Sequence, residues 1–211
     1  MKLYTYYRSS AAYRVRIALH FKGLAYEAMP VDLRLGAQRR TEYLALNPQG
    51  LVPALEDDSA LLAQSLAIIE YLEETHPDPP LLPGAPLERA QVRSLALAIA
   101  CDLHPLNNLR VLNYLRSPLG HDEVAVNAWY RHWVAQVFQG LESVARRSSD
   151  GRHLLGESVT LADVCLVPQL FNARRFGCDL SPFPILTAIG AHLEGLDAFA
   201  RAAPALQPDA P

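Results

Sequence analysis

Two serines stand directly before a helix-like run in YYRSSAAYRVRIAL, Tyr6 to Leu19, with Arg8 just ahead of them. A serine in that place either caps the helix, its hydroxyl oxygen accepting a bond from an orphan backbone N–H, or presents its hydroxyl to a reacting group. Val52-Pro53 lies between a loop and a strand. Proline lacks the ladder N–H and marks an edge or a strand start, and a cis bond here would turn the N–H and C=O of Val52 outward. Gln64-Ser65 lies where a strand meets a helix. Either Ser65 is a cap, or that helix end gathers backbone donors and a positive dipole suited to a carboxylate. His104, Asn107, Asn108 and Arg110 fall within seven residues around Pro105, which suits a cleft wall or a plain solvated face. Arg174-Arg175 adds a basic pair that, taken alone, reads as solvated.

Other chemistries find no foothold. The seven histidines never occur as H-x-x-x-H and no acidic cluster has calcium-loop spacing, so no metal site is expected. Phosphate-loop, dinucleotide and nucleophile-elbow motifs do not occur. Cys101, Cys165 and Cys178 sit in apolar stretches and are expected to be buried, inert thiols. With no C-x-x-C pair, sulfur chemistry would come from a ligand. A net charge of −3 creates no field that draws nucleic acid or an anionic membrane. No run approaches about eighteen consecutive apolar residues, and no basic–apolar leader opens the sequence. The expectation is a soluble cytoplasmic protein with neither nucleic-acid nor membrane partners.

The elements that must position these residues follow from pattern. Lys2 to Tyr7 is β-branched and aromatic enough for a strand. Ser10 to Lys22 reads as a helix, with Gly23 as its stop, and Tyr26 to Val31 as a second strand. A polar segment and a short helical piece ending at Asn47-Pro48 follow. Ala54–Glu56 and Leu61–Ala63 are two short strands around an Asp57-Asp58-Ser59 turn, and Leu66 to Glu74 is a helix. The order β-α-β then β-β-α implies a parallel pair and an antiparallel hairpin, the layout of a thioredoxin-like domain over residues 1–80. His76 to Pro86 holds five of the sixteen prolines and reads as a stiff extended linker. From 87 to 211 the strand signal vanishes and an all-helical domain is expected. Leu87–Leu115 reads as one long helix kinked at Pro105, Asn127–Arg146 as a second, TLAD at Thr160 as the capped start of a third, and Leu186–Ala200 as the last. The fold class is therefore α/β plus all-α.

Several of these segments together resemble the zeta class of glutathione transferases, a family that includes maleylacetoacetate and maleylpyruvate isomerases. They are RSSAAYRVRIALHFKG, LNPQGLVPAL, QSLAIIEYLEE, HPLNNLRVL, TLADVCLVPQ and QPDAP, in the family's order from Lys2 to Pro211. The resemblance implies a glutathione transferase fold, a homodimer, and glutathione as cofactor between the domains. It implies that Ser9 donates its hydroxyl to the glutathione sulfur, with Ser10 as the better cap candidate. Val52, before a cis Pro53, would pair its backbone with the tripeptide. Gln64 and Ser65 would hold the γ-glutamyl carboxylate and Gln49 the glycyl end, while His104 and Asn108 line the site. Ala11 stands where the family usually has cysteine, which removes any role for a protein thiol at that position.

The activity so implied is glutathione-dependent cis–trans isomerisation of a maleyl keto acid in aromatic catabolism. The alternatives are conjugation or dehalogenation of small electrophiles such as α-halo acids, and non-catalytic ligand binding. A maleyl keto acid is a dicarboxylate and needs cations at both ends. Arg8, Arg110 and Arg175 are the candidates, since guanidinium matches carboxylate bidentately. Arg14 and Arg16 read as solvated or structural.

Overall fold

The structure is a computed structural model describing residues 1–211. In chain order its elements are β1 (Lys2–Thr5), α1 (Ser10–Phe21), β2 (Glu27–Pro30), α2 (Thr41–Leu46), β3 (Ala54–Asp57), β4 (Ala60–Ala63) and α3 (Ser65–Thr75). Then come α4 (Pro86–Leu97), a π-helical turn at Ala98–Leu103, α5 (His104–Leu106), α6 (Leu109–Arg116) and α7 (Glu123–Ser148). The last are α8 (Leu161–Arg175), α9 (Pro184–Glu194) and α10 (Asp197–Ala202). The chain divides into two compact units, one of Met1–Leu81 with Gly195–Pro211, the other of Leu82–Glu194.

The first unit is built on a sheet of order β2-β1-β3-β4. β1 runs parallel to β2 and antiparallel to β3, and β3 and β4 form a hairpin. A parallel neighbour requires a crossover, which α1 supplies; the hairpin needs only Asp58-Ser59, with Asp58 at φ 50°. Leu3 and Leu55 of the sheet, Val15 and Leu19 of α1, and Ile68 and Leu72 of α3 are fully buried. This is the thioredoxin-like arrangement that the strand and helix order implies. The unit is not complete at residue 80, however. α10 packs on α1, with the Tyr13 hydroxyl donating to Phe199 O and Arg16 Nε to Ala202 O. Residues 195–211 therefore fold with the sheet unit and not with the helical one, because a buried arginine and tyrosine on α1 take their acceptors there.

Between α3 and α4 no helix or strand forms. Lys22, with its side chain fully buried, donates to Glu73 at 2.7 Å and to the carbonyls of His76 (2.7 Å) and Pro79 (3.0 Å). The Glu73 carboxylate in turn accepts the Leu81 N–H. A single buried ion pair thus fastens the proline-rich segment to the first unit. The Asp78–Pro79 bond is cis, which nothing in the sequence reading anticipates.

In the second unit the long helix expected over 87–115 is two pieces, one running from α4 through a π turn and α5 to Leu106, the other α6. The chain passes from α4 into a π turn before Pro105, and α5 ends at Leu106, one residue beyond it. Proline lacks the N–H for the interior ladder, and the π turn, an uncommon element, ends two residues before it. Asn108 then caps α6 by accepting the Arg110 N–H. Within the π turn the buried positions are Ile99 and Leu103, so Cys101 midway between them faces outward. It is exposed, against the expectation for all three cysteines. α7 starts four residues before Asn127, because Asp122 accepts from Ala125 N–H and begins the helix early. The final expected helix is two, α9 and α10, separated at Gly195-Leu196. The TLAD expectation holds: Asp163, wholly buried in α8, accepts from Thr160 N–H (2.8 Å) and Leu154 N–H (2.7 Å).

Removing one member of a buried ion pair strands the other, at a cost of about 3–5 kcal/mol. Lys22→Met should lose about that much stability in urea unfolding, and Lys22→Met/Glu73→Gln less than the sum of the two single changes.

Candidate functional site

Ser9, not Ser10, is the cap of α1. Its backbone is extended (φ −69°, ψ 114°) and its Oγ accepts the Ala12 N–H at 3.2 Å, while Ser10 is the first helical residue and is buried. The expected split of duties between the two serines is therefore corrected. A hydroxyl that accepts still has its own proton, and that of Ser9 has no acceptor within the chain. One side chain caps the helix and offers a donor at its positive end.

The turn carrying Ser9 is held from two sides. Ser9 N–H donates to Tyr6 O at 2.9 Å. Arg16 donates through Nη1 to Thr5 Oγ1 (3.0 Å) and Tyr6 O (3.4 Å), and through Nη2 to Tyr7 O (3.0 Å). Burial pushes this guanidinium down to about 10, still a cation at neutral pH. The Tyr7 N–H donates to Asp209 Oδ2 at 2.9 Å. Arg16 is thus structural and fully buried, not solvated.

Arg8 is fixed by aromatic neighbours. Its Nη2 donates to the Tyr6 hydroxyl at 3.1 Å, and its guanidinium lies 5.2 Å from the Tyr7 ring centre and 5.9 Å from that of Tyr6. Burial raises the Tyr6 phenol above its ordinary range. Arg8 Nε is buried without a partner, so part of the guanidinium's donor set is unspent.

Beyond this turn, the Val52–Pro53 bond is cis, as the resemblance implies. Val52 makes no hydrogen bond through its N–H or C=O. The carbonyl before it, Leu51 O, accepts from Tyr43 Oη (2.6 Å) and Asn47 Nδ2 (2.9 Å), so the loop presenting that free pair is firmly held. Gln64 precedes α3 at φ 73°, a left-handed setting that costs a non-glycine residue about 1–3 kcal/mol and recurs at ligand sites. Its Nε2 donates to Gln49 Oε1 at 2.6 Å, which joins two of the expected ligand residues. Gln64 occupies the cap position; Ser65 is the first residue of the helix and is buried, and Arg14 reaches its Oγ at 3.4 Å. Arg14 is therefore structural; it and Arg16 lie about 200° apart around α1, and both are buried because both sides of this helix are covered.

The second unit holds the remaining candidates. Asn108 Nδ2 lies 3.4 Å from His104 Nε2, so these two form a pair, and Asn108 also caps α6. Asn107 does not share their surface: it is buried and donates to Tyr130 O. Arg110 is exposed at the start of α6. Arg175 is exposed at the end of α8, its guanidinium 4.7 Å from the Phe176 ring centre, and Phe176 stacks on Tyr130 at 3.7 Å. Arg174 is exposed, as the sequence suggests, and forms a surface ion pair with Glu194. Burial pushes the half-buried Cys178 thiol up to about 11, which keeps it protonated and unreactive at neutral pH.

The first unit therefore offers a free hydroxyl proton at a helix N-terminus, an unpaired backbone N–H and C=O beside a cis proline, and a strained entry to a second helix end. Those are the requirements of a short peptide with one anionic sulfur and a terminal carboxylate. The chain belongs to the glutathione S-transferase family: residues 3–80 match its N-terminal domain and 127–188 its C-terminal domain. Within that family it is a zeta-class member. It is 53% identical to the probable maleylacetoacetate isomerase of Vibrio cholerae over 99% of this chain and 97% of the other. The solved holo structure of a bacterial zeta-class maleyl pyruvate isomerase matches with a TM-score of 0.98 at 48% identity, each chain fully covered. A maleylacetoacetate isomerase from Methylobacterium extorquens AM1, solved with malonate and glutathione bound, matches with a TM-score of 0.96 at 43% identity, again fully covered.

Losing the α1 cap should cost about 1 kcal/mol of stability. In denaturant unfolding Ser9→Ala is expected to show that loss and Ser9→Asn, which can still cap, to recover most of it.

Proposed function

We propose that this protein is a glutathione-dependent cis–trans isomerase of a maleyl keto acid, converting it to the fumaryl isomer. The observation that carries the reading is the Ser9 hydroxyl, anchored by Ala12 N–H with its own proton free at the positive end of α1. The residues present fit glutathione. The unpaired Val52 backbone pair suits its peptide units, Gln64 and Ser65 at the start of α3 its γ-glutamyl carboxylate, and Gln49 its glycyl end. His104 and Asn108, paired in the second unit, are the further residues that the family resemblance implies.

The chemistry glutathione supplies when bound is reversible addition of its thiolate to the cis double bond, which frees that bond to rotate before the thiolate departs. The protein's task is to keep the sulfur ionised. A free thiol with pKa near 8.5 is mostly protonated at neutral pH, and lowering that value by about two units takes roughly 2.7 kcal/mol. A hydrogen bond from Ser9 to an anion contributes about 1.5–3 kcal/mol, and the α1 N-terminus about 0.3–1. Together they suffice, so no protein thiol is needed where Ala11 stands. Arg8 is pre-aimed by Tyr6 and Tyr7 to take one substrate carboxylate; Arg110 and Arg175 are the cations for the other. The protein works in the cytoplasm as a homodimer, the assembly that family resemblance implies; no helix is long and apolar enough to cross a membrane.

The test is isomerisation of maleylacetoacetate and maleylpyruvate with and without glutathione. Turnover should require glutathione and leave its concentration unchanged; stoichiometric consumption would instead identify a conjugating transferase. Ser9→Ala should lower kcat at least about tenfold, the equivalent of about 1.4 kcal/mol, while glutathione still binds. Arg110→Met or Arg175→Met should raise KM for dicarboxylates and spare neutral electrophiles; equal damage to both would rule out the carboxylate clamp.

A further inference from the structure

The Tyr6–Ser9 turn owes little of its shape to its own sequence. It contains no glycine or proline, and of its internal bonds only Ser9 N–H to Tyr6 O closes it. The rest is supplied from outside by two groups of opposite charge. Arg16 takes the carbonyls of Tyr6 and Tyr7, and Asp209 takes the Tyr7 N–H at 2.9 Å across 202 residues of sequence. Both backbone polar groups of Tyr7, two residues before Ser9, are thereby held by charged partners. Charge-assisted bonds of this kind are about twice as strong as neutral ones.

Asp209 is itself braced. Gln207 Nε2 donates to Arg201 O (3.0 Å) and Ala203 O (2.9 Å), and Ala210 N–H to Gln207 O (3.0 Å), which folds the segment after α10 into a compact strap. The carboxylate also favours the protonated form of the buried Arg16. Its second oxygen, Oδ1, is buried with no hydrogen-bond partner. An unsatisfied carboxylate oxygen costs stability, so serving the overall fold alone explains this placement poorly; what Asp209 gains is the grip on Tyr7.

We infer that Asp209 is a positioning residue for Ser9, fixing the Tyr7 amide so that the turn aims the Ser9 hydroxyl at a bound thiolate. The inference rests on the thiolate-holding role proposed for Ser9. Misplacement of a reacting group by about 1 Å can cost on the order of a hundredfold in rate, and the turn has no other external hold on its N–H groups.

The experiment is ultraviolet titration of the glutathione thiol bound to the parent protein, Ser9→Ala, Asp209→Ala and Asp209→Asn, alongside kcat and KM. Asp209→Ala should raise the bound thiol's apparent pKa by about one unit, equivalent to a tenfold change, and lower kcat about tenfold. KM for glutathione should change less than about threefold, since the other contacts to it are untouched. Asp209→Asn, whose side-chain carbonyl still accepts from Tyr7 N–H, should recover kcat to within about threefold. If Ser9→Ala leaves the thiol pKa unmoved, the reading of Ser9 fails and takes this inference with it. If Ser9→Ala shifts it and Asp209→Ala does not, only the role of Asp209 is overturned. An Asp209→Asn protein as impaired as Asp209→Ala would also overturn it. Amide hydrogen exchange on the parent protein gives a check independent of any variant: Tyr7 N–H should be protected like β1, and exchange at the rate of an open loop would exclude the grip.

Discussion

A guanidinium sealed from water must find acceptors for its donors, and Arg16 imposes that demand on everything around it. Its partners are a threonine hydroxyl at the end of β1, two carbonyls of the turn after β1, and a carbonyl at the end of α10. Burying a charge is costly unless hydrogen bonds replace its hydration, so these four groups have to converge. Once they do, strand, turn, helix α1 and the helix that returns from residue 197 are set relative to one another. The position of Ser9 and the direction of Arg8 follow from that convergence.

The same turn shows how little chemical equipment the proposed reaction asks of the protein. Ser9 serves two purposes because a hydroxyl is both acceptor and donor: the oxygen closes the helix end and the proton remains available. Arg8 is directed by the rings of Tyr6 and Tyr7, which favour a cation without neutralising it, so its full charge remains for an anion. A carboxylate in their place would hold Arg8 as well but would cancel that charge. In the proposed reading, the cis bond at Val52-Pro53 and the Leu51 carbonyl with its two hydrogen bonds would do for a peptide backbone what Ser9 would do for sulfur, by leaving a donor and an acceptor open.

What the sequence made legible was local. The β-α-β and β-β-α order, the hairpin turn and the Thr160–Asp163 cap are all decided within a dozen residues, and all were readable. The duties of Ser9 and Ser10 were exchanged even though the helix start at Ser10 was legible, because the cap is the residue before the first helical one and that residue is Ser9. Pro105 announced a defect, yet the π turn before it and the fresh cap at Asn108 depend on packing against α7 and α8. Asn107 looked like a neighbour of Asn108 and turned inward for the Tyr130 carbonyl. Arg14 and Arg16 alternate with apolar residues and so resemble a solvated edge; only the acceptors at Ser65 and Ala202, far away in sequence, explain why they are inside. Family resemblance supplied the cis bond and the ligand roles, which periodicity alone could not.

The division of the chain also has a temporal side. Residues 82–194 interrupt the sheet unit, and the acceptors for Tyr13 and Arg16 lie beyond that interruption. At translation rates of about 5–20 residues per second, roughly ten to forty seconds separate the making of α1 from the making of α10. During that interval a nascent chain on the ribosome can close the intervening helical unit while Arg16 waits for Ala202. The unit whose synthesis starts first is the one that finishes folding last, and a message cut short after the helical unit would yield a chain whose Tyr6–Ser9 turn never acquires its final hold.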